Sequence, residues 1–358
     1  MPAYDKLEIK SNIKDYSVTL VDDFSKTLVE SSLEKSFIVI DQAVFRLYNK
    51  RLQGILQKGK YLVIEATEFH KTLDYIEVVI KTLIDNGIKK NNILMAIGGG
   101  IIQDITGFVA SILFRGIEWS FYPTTLLAQC DSCIGSKTSI NVGEFKNQVG
   151  TFYPPQQLIL DINFLKTLSP TDLKSGLGEI IKVHLLDGES SLRYITSHYT
   201  QDSSDLATFR EMILRSLRIK RDIIEKDEFD KNYRNILNYG HTFGHAIESI
   251  TGYKVCHGQA VTVGMDIANY ISLRLAMLPQ KSYKLMRKAL EKNYPEFRLG
   301  KEQVEPLLVA LSKDKKNIDQ DLSLILTKGP GEMLKMKLPM DKSLKGYLKD
   351  YGTLVMSR

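Results

Sequence analysis

The chain has 358 residues, of which 43% are hydrophobic, enough to bury one large or two ordinary cores. Lys and Arg number 48 against 42 Asp and Glu, a surplus of six without any block of five like charges. That excludes the dense basic stripe of a nucleic-acid binder but suits a small anionic substrate.

The lysines between Lys313 and Lys349 are interrupted by apolar and acidic residues and read as a solvated face. The opening MPAYDKLEIKSN lacks a basic stretch followed by an apolar one, so no secretory leader is expected. No apolar run approaches the ~18 residues of a membrane span. Three cysteines make a disulfide framework unexpected and fit a reducing cytoplasm. Cys130 and Cys133 form a C-x-x-C. With no second such pair, and Cys256 distant, ordinary packing is preferred over a redox or metal role.

Along the first half, strand-like runs at 36–41, 61–66, 93–97, 120–122 and 158–162 alternate with helical periods. In 74–86 (DYIEVVIKTLIDN) apolar residues recur at spacings of three and four, and Gly87 supplies a stop. Such alternation predicts a parallel sheet covered by helices. From about Ser169 the periods turn mostly helical: 171–186, 206–226, 235–250, 259–275 and 281–292. One strand-like run follows at 322–326. The expected architecture is a Rossmann-like α/β nucleotide-binding domain over 1–168 and an all-helical domain over 169–358.

Four features carry chemistry. Gly98, Gly99 and Gly100 follow a strand and precede a helix, where glycines let a phosphate approach free N–H groups at a positive dipole end. Glycines at strand ends are also ordinary tight turns, and the spaced G-x-G-x-x-G is absent. In HTFGH, His241 and His245 lie four apart on one helix face, with Asn238 expected one turn earlier. His257, opening the next helix, and Glu179, on an apolar helix, could complete a mixed imidazole–carboxylate zinc site with one open position. Glu179 buried without a cation would carry a large desolvation cost. Lys182, three residues after Glu179, sits in the same close-packed context of Gly176, Gly178, Ile180 and Ile181, where charges tend to be functional. The run from Pro123 to Asp131, then Gly135-Ser136-Lys137 and Lys146-Asn147, offers lysines and amides for phosphate or ribose, or is a plain surface loop.

Together the stretches GGGIIQDITGFVASILFRG, PTTLLAQCDSCIGSKTSIN, KNQVGTFYPP, GLGEIIK, RNILNYGHTFGHAIE and HGQAV resemble the 3-dehydroquinate synthase family of sugar-phosphate cyclases. They run in the family's order, and the likeness covers roughly residues 36–330. The resemblance implies zinc (or cobalt) held by Glu179, His241 and His257. It implies NAD contacted by Asp41, Glu68, Lys71, Gly99, Gly100, Asp104, Thr124, Thr125 and Lys146. It assigns a sugar-phosphate pocket to Asp131, Lys137, Asn147, Lys182, Lys220, Arg234, Asn238 and His245. His245 and Asp230 match proton-transfer positions, and Arg115 matches an arginine reaching the other subunit's site in a homodimer. The implied reaction oxidises a hydroxyl transiently, eliminates phosphate, returns the hydride and closes a ring by an aldol step.

Four positions depart from the family pattern: Ser136 replaces a glycine, Gln259 a glutamate, Asp230 a glutamate and Glu332 a lysine that faces substrate. A glutamate there would repel a substrate carboxylate, although Lys328 lies close by. The resemblance therefore implies 3-dehydroquinate synthase first, with a paralogous cyclase of carboxylate-free sugar phosphates as the alternative. A metal-dependent polyol dehydrogenase and a non-catalytic sugar-phosphate sensor are the competing classes.

Overall fold

Consecutive buried β-branched and aliphatic residues build the sheet. The computed structural model describes residues 5–28, 33–143, 145–312 and 321–356; the lysines within 313–320 lie outside them. Strands β1 (Lys6–Ile9), β2 (Tyr16–Val21), β3 (Ser36–Asp41), β4 (Lys60–Ile64), β5 (Ile93–Gly98), β6 (Trp119–Pro123) and β9 (Gln157–Asp161) form one seven-stranded sheet in the order β1-β2-β9-β6-β5-β3-β4. Only β1–β2 is antiparallel; the other pairings are parallel. Runs such as FIVI in β3 and LMAI in β5 are buried throughout, as a sheet covered on both faces requires. Helices α1 (Gln42–Leu56), α2 (Leu73–Asp85) and α3 (Gly100–Ile112) connect the parallel strands. Ile38, Ile40, Leu52, Ile97, Tyr122 and Phe164 belong to one core cluster. The α/β expectation holds. It overlooked β1 and β2, and also the small hairpin of β7 (Ile140–Val142) and β8 (Phe145–Val149).

The chain divides into two compact units, but not at one junction. The first comprises 1–169 and 203–229, the second 170–202 and 230–358. The first junction falls next to the expected boundary at 168, and 203–229 groups with the first unit. This segment holds a helix (Leu206–Ile224) whose Lys220 pairs with Asp131 of the first unit. Helical periodicity fixes a helix's existence but says nothing of which core it joins.

The second unit is mainly helical: α4 (Pro170–Asp187), α5 (Glu189–His198), then, numbering the first unit's Leu206–Ile224 as α6, α7 (His241–Ile250), α8 (His257–Arg274), α9 (Gln280–Leu290), α10 (Val304–Ser312) and α11 (Lys342–Met356). It is not wholly helical. Strand β10 (Asp321–Thr327) pairs antiparallel with β11 (Met333–Pro339), which alternates half-buried and exposed residues. The helix expected over 235–250 is broken at Gly240, whose φ of 79° is left-handed. Asn238 therefore ends a short 3-10 turn and does not share the helix face of His241 and His245. No helix among the described residues is long and apolar enough to cross a membrane.

Candidate active site

Glycines set the geometry in the second unit. A Cβ on Gly178 would lie 2.1 Å from the carbonyl oxygen of Gly258, and one on Gly258 would lie 1.8 Å from that of Ser175. Helices α4 and α8 therefore touch backbone to backbone, bringing Glu179 against His257. Gly264 likewise meets the carbonyl of Gly240, at 2.1 Å, which draws the start of α7 and its first residue, His241, to the same place.

Glu179 is only 1% exposed. Its Oε1 lies 3.5 Å from His257 Nε2 and 3.8 Å from His241 Nε2, while Lys182 contacts Oε2. The outer nitrogens are occupied. His241 Nδ1 lies 3.3 Å from the Tyr239 carbonyl, and His257 Nδ1 lies 3.2 Å from Glu248 Oε2. Both Nε2 atoms thus remain turned toward the carboxylate. The three ligand atoms lie within 4.8 Å of one another. Oε1 is buried without a hydrogen-bond partner in the protein. Native proteins rarely leave a buried carboxylate oxygen so, and a divalent cation would satisfy it with two imidazoles. The donor set fits such an ion.

The local field favours positive charge. Burial opposes ionisation of Glu179, but Lys182 and His257 outweigh it and hold the carboxyl well below its usual range. Burial also works against a charged His257, yet Glu179 and Glu248 raise it to about 10. Sequence reasoning missed Glu248. Its signal was spacing: His241, His245 and Glu248 fall at i, i+4 and i+7 of α7. A second group, His245, Glu248 and His257, shares the His257 ring, so the three imidazoles cluster with centroids 5.3–5.9 Å apart.

The other second-unit candidates lie in turns between the longer elements. Arg234 is buried in the turn before α7. Asp230 has left-handed backbone (φ 56°) and accepts a 3.0 Å hydrogen bond from Asn235, which Lys335 also reaches. Glu332 is exposed in the β10–β11 turn, whose Gly331 N–H donates to the Leu185 carbonyl of α4. Lys328 is exposed in the same turn.

In the first unit, Gly98 closes β5 and Gly99 caps α3, leaving helix N–H groups beside Thr124 and Thr125. A Cβ on Gly99 would come within 3.0 Å of the Thr125 methyl, so the turn is tight as well as open. Asp41 caps α1 by accepting from Ala43 N–H. Glu68, Lys71, Asp104 and Asn147 join in one network. Lys71 Nζ bonds Asp104 at 2.5 Å and Asn147 Oδ1 at 2.7 Å. Ser139 donates to both Asp104 and Asn147, and Asn141 bridges Asn147 to Glu68. Ser139 and Asn141, unmarked in the sequence, are the connectors. Burial pushes the Asp104 carboxyl up despite Lys71 and Ser139. Lys146 and Lys137 are exposed on neighbouring loops. Arg115 is exposed and left-handed (φ 63°), next to Phe114 (φ 51°).

Lys220 ties Asp131 down twice, at 2.6 Å to its carboxylate and 2.6 Å to its carbonyl. Cys130 and Cys133 are buried thiols donating to main-chain carbonyls, and burial pushes Cys133 up to about 12, which suits packing.

The N-terminal domain profile of 3-dehydroquinate synthase matches residues 61–175 and the C-terminal profile residues 176–317. A curated 3-dehydroquinate synthase from Alkaliphilus oremlandii is 35% identical over 304 residues, 84% of each chain. One from Dictyoglomus thermophilum is 34% identical over 339 residues, 92% of this chain and 93% of its own. Among solved structures, 2-deoxy-scyllo-inosose synthase complexed with carbaglucose-6-phosphate, NAD+ and Co2+ superposes with a TM-score of 0.88 at 22% identity, over 97% of this chain and 100% of that one. For 2-epi-5-epi-valiolone synthase from Streptomyces hygroscopicus with NAD+ and Zn2+ bound, the TM-score is 0.82 at 23% identity, over 96% and 97%. At such identities the structural likeness concerns the fold.

Proposed function

Because the chain belongs to the 3-dehydroquinate synthase family, we propose that it is a cytoplasmic NAD- and divalent-metal-dependent cyclase. Its substrate is 3-deoxy-D-arabino-heptulosonate 7-phosphate, converted to 3-dehydroquinate and phosphate. The observation that carries this reading is the buried, unbonded Glu179 Oε1 facing two imidazole nitrogens.

A cation held by Glu179, His241 and His257 would polarise a ring hydroxyl, and NAD on the Gly99–Gly100 turn would accept and return its hydride. Lys182 and His257 hold the Glu179 carboxyl below its usual range against burial, and Glu248 beside His257 Nδ1 leaves Nε2 turned to the carboxylate. The Lys71–Asp104–Asn147 network holds Asn147 in left-handed backbone (φ 55°), presenting the loop that carries Lys146 to the cofactor. Lys220 immobilises Asp131, and on the family resemblance Lys137, Asn147 and His245 would supply positive or amide donors for the phosphate, with Arg115 doing so across a homodimer.

Glu332 favours a second reading. An exposed carboxylate in the β10–β11 turn, where the family pattern has lysine, suits a sugar phosphate without a carboxylate. A phosphate-release assay with NAD and zinc decides between them. The substrates are 3-deoxy-D-arabino-heptulosonate 7-phosphate, glucose 6-phosphate and sedoheptulose 7-phosphate. Release from the first is expected; release only from the other two establishes the paralogous activity instead.

A further inference from the structure

The loop Gly135-Ser136-Lys137 contains two consecutive left-handed residues, Gly135 (φ 107°) and Ser136 (φ 64°). Glycine adopts such backbone freely, and serine does so only where its surroundings hold it. Ser136 is 6% exposed, and its hydroxyl donates to Glu228 Oε1 at 3.2 Å. Glu228 is itself 5% exposed, in the segment after α6. Its carboxylate also accepts from Ser11 Oγ at 2.6 Å, Asn12 N–H at 2.6 Å and Asn12 Nδ2 at 3.1 Å, all from the β1–β2 turn. From the other side, the Tyr16 hydroxyl accepts the Gly135 N–H at 2.9 Å, and the Ser136 carbonyl accepts the Tyr153 N–H at 2.7 Å. A buried carboxylate with so many donors aimed at it is a fixed anchor. What it fixes is the backbone immediately before Lys137.

We infer that Glu228 is a positioning residue: through the Ser136 hydroxyl it holds residue 136 in left-handed backbone and thereby aims Lys137 at the substrate phosphate. The inference rests on the proposed reading of Lys137 as a substrate contact. In this arrangement a hydrogen bond does what the missing Cβ of a glycine does elsewhere. The consequence is a coupling between two positions. Glu228 matters to the loop while residue 136 is serine, and much less once residue 136 can hold a positive φ unaided.

The test is a double-mutant cycle on the full-length, metal-loaded protein. Glu228→Ala is expected to raise KM for the sugar phosphate about tenfold with kcat changed less than about twofold, since ground-state placement of the phosphate is what is lost. Glu228→Gln, which still accepts and donates, should restore most of it. Ser136→Ala should reproduce the KM effect from the loop side, and Ser136→Gly should raise KM less than Ser136→Ala. In the Ser136→Gly background, Glu228→Ala should add less than about threefold. Equal penalties in both backgrounds, or a fall in kcat with KM intact, overturn the inference. Amide hydrogen exchange in 133–139 reads the same coupling without turnover: faster exchange in Glu228→Ala and Ser136→Ala is expected, and unchanged exchange in both overturns it. A wild-type protein that releases phosphate from none of the three sugar phosphates refutes the functional reading alone, and the exchange measurement still decides the loop.

Discussion

Glu248 shows how one side chain supports a site whose candidate ligands lie on three helices. It accepts from His257 Nδ1, so Nε2 is left to face Glu179. Carboxylates placed so behind a histidine tune affinity for the ion rather than bind it. Glu248→Gln is therefore expected to weaken zinc binding about 10- to 100-fold in chelator competition, with the fold intact by circular dichroism. His257→Ala should abolish zinc binding, and full occupancy in that variant would remove His257 from the ligand set. Cys133 gives a contrasting residue-scale expectation. With its thiol pushed up to about 12 by burial, little thiolate exists at about pH 8, so native protein should resist iodoacetamide there while urea-unfolded protein reacts. Rapid alkylation of folded Cys133 would contradict the packing role. The proximity of Glu179, His241 and His257 was legible because histidines at helix starts and a glutamate among apolar residues are conspicuous. Glu248, Ser139 and Asn141 were not. Their residue types are ordinary, and their roles come from partners remote along the chain.

At the scale of elements, the site depends on helices pressed together where side chains are missing. Gly258→Ala would set a Cβ 1.8 Å from the Ser175 carbonyl, a clash with main chain that no rotamer relieves. It should cost at least about 1–3 kcal/mol in denaturant unfolding and, by parting α4 from α8, lose zinc affinity as well. Gly346 lies within α11, and a Cβ there meets nothing within 4 Å. Gly346→Ala should stabilise by about 0.5–1 kcal/mol in the same assay, because only helix propensity changes. If the two substitutions behaved alike, close helix approach would not be what the second unit's glycines serve. Sequence periodicity placed α4, α8 and α9 within two residues of their ends, because each repeats its apolar face for three turns or more. It failed at Gly240, since glycine in an apolar pattern reads equally as a tolerated interior residue or a break. Only the carbonyl packing of Gly264 decides for the break. The hairpin partner β11 escaped notice because MLKMKLP alternates weakly beside exposed lysines.

For the whole molecule, the chain's path matters more than its halves. The first unit is discontinuous: it takes 1–169, leaves for 170–202, and returns for 203–229. The returning helix α6 buries Phe209, Met212, Ile213, Leu217, Ile223 and Ile224, and its Lys220 locks Asp131. At about 1.5–3 kcal/mol for each buried apolar side chain, these six contribute roughly 9–18 kcal/mol as an upper bound. Ordering the helix costs conformational entropy of comparable size, so its net contribution is the difference between two large opposing terms. A fragment ending at 168, where strand–helix alternation alone would cut the chain, loses all of it. It also frees Asp131 from its lysine and Ser136 from its carboxylate. Such a fragment should retain far-ultraviolet helix signal yet unfold in urea without a cooperative transition, and should expose apolar surface to a hydrophobic dye. A fragment of 1–168 that instead melted sharply would mean that α6 merely rests on a self-sufficient nucleotide-binding domain. The loop from Asp131 to Lys137 would then owe its shape to local sequence alone.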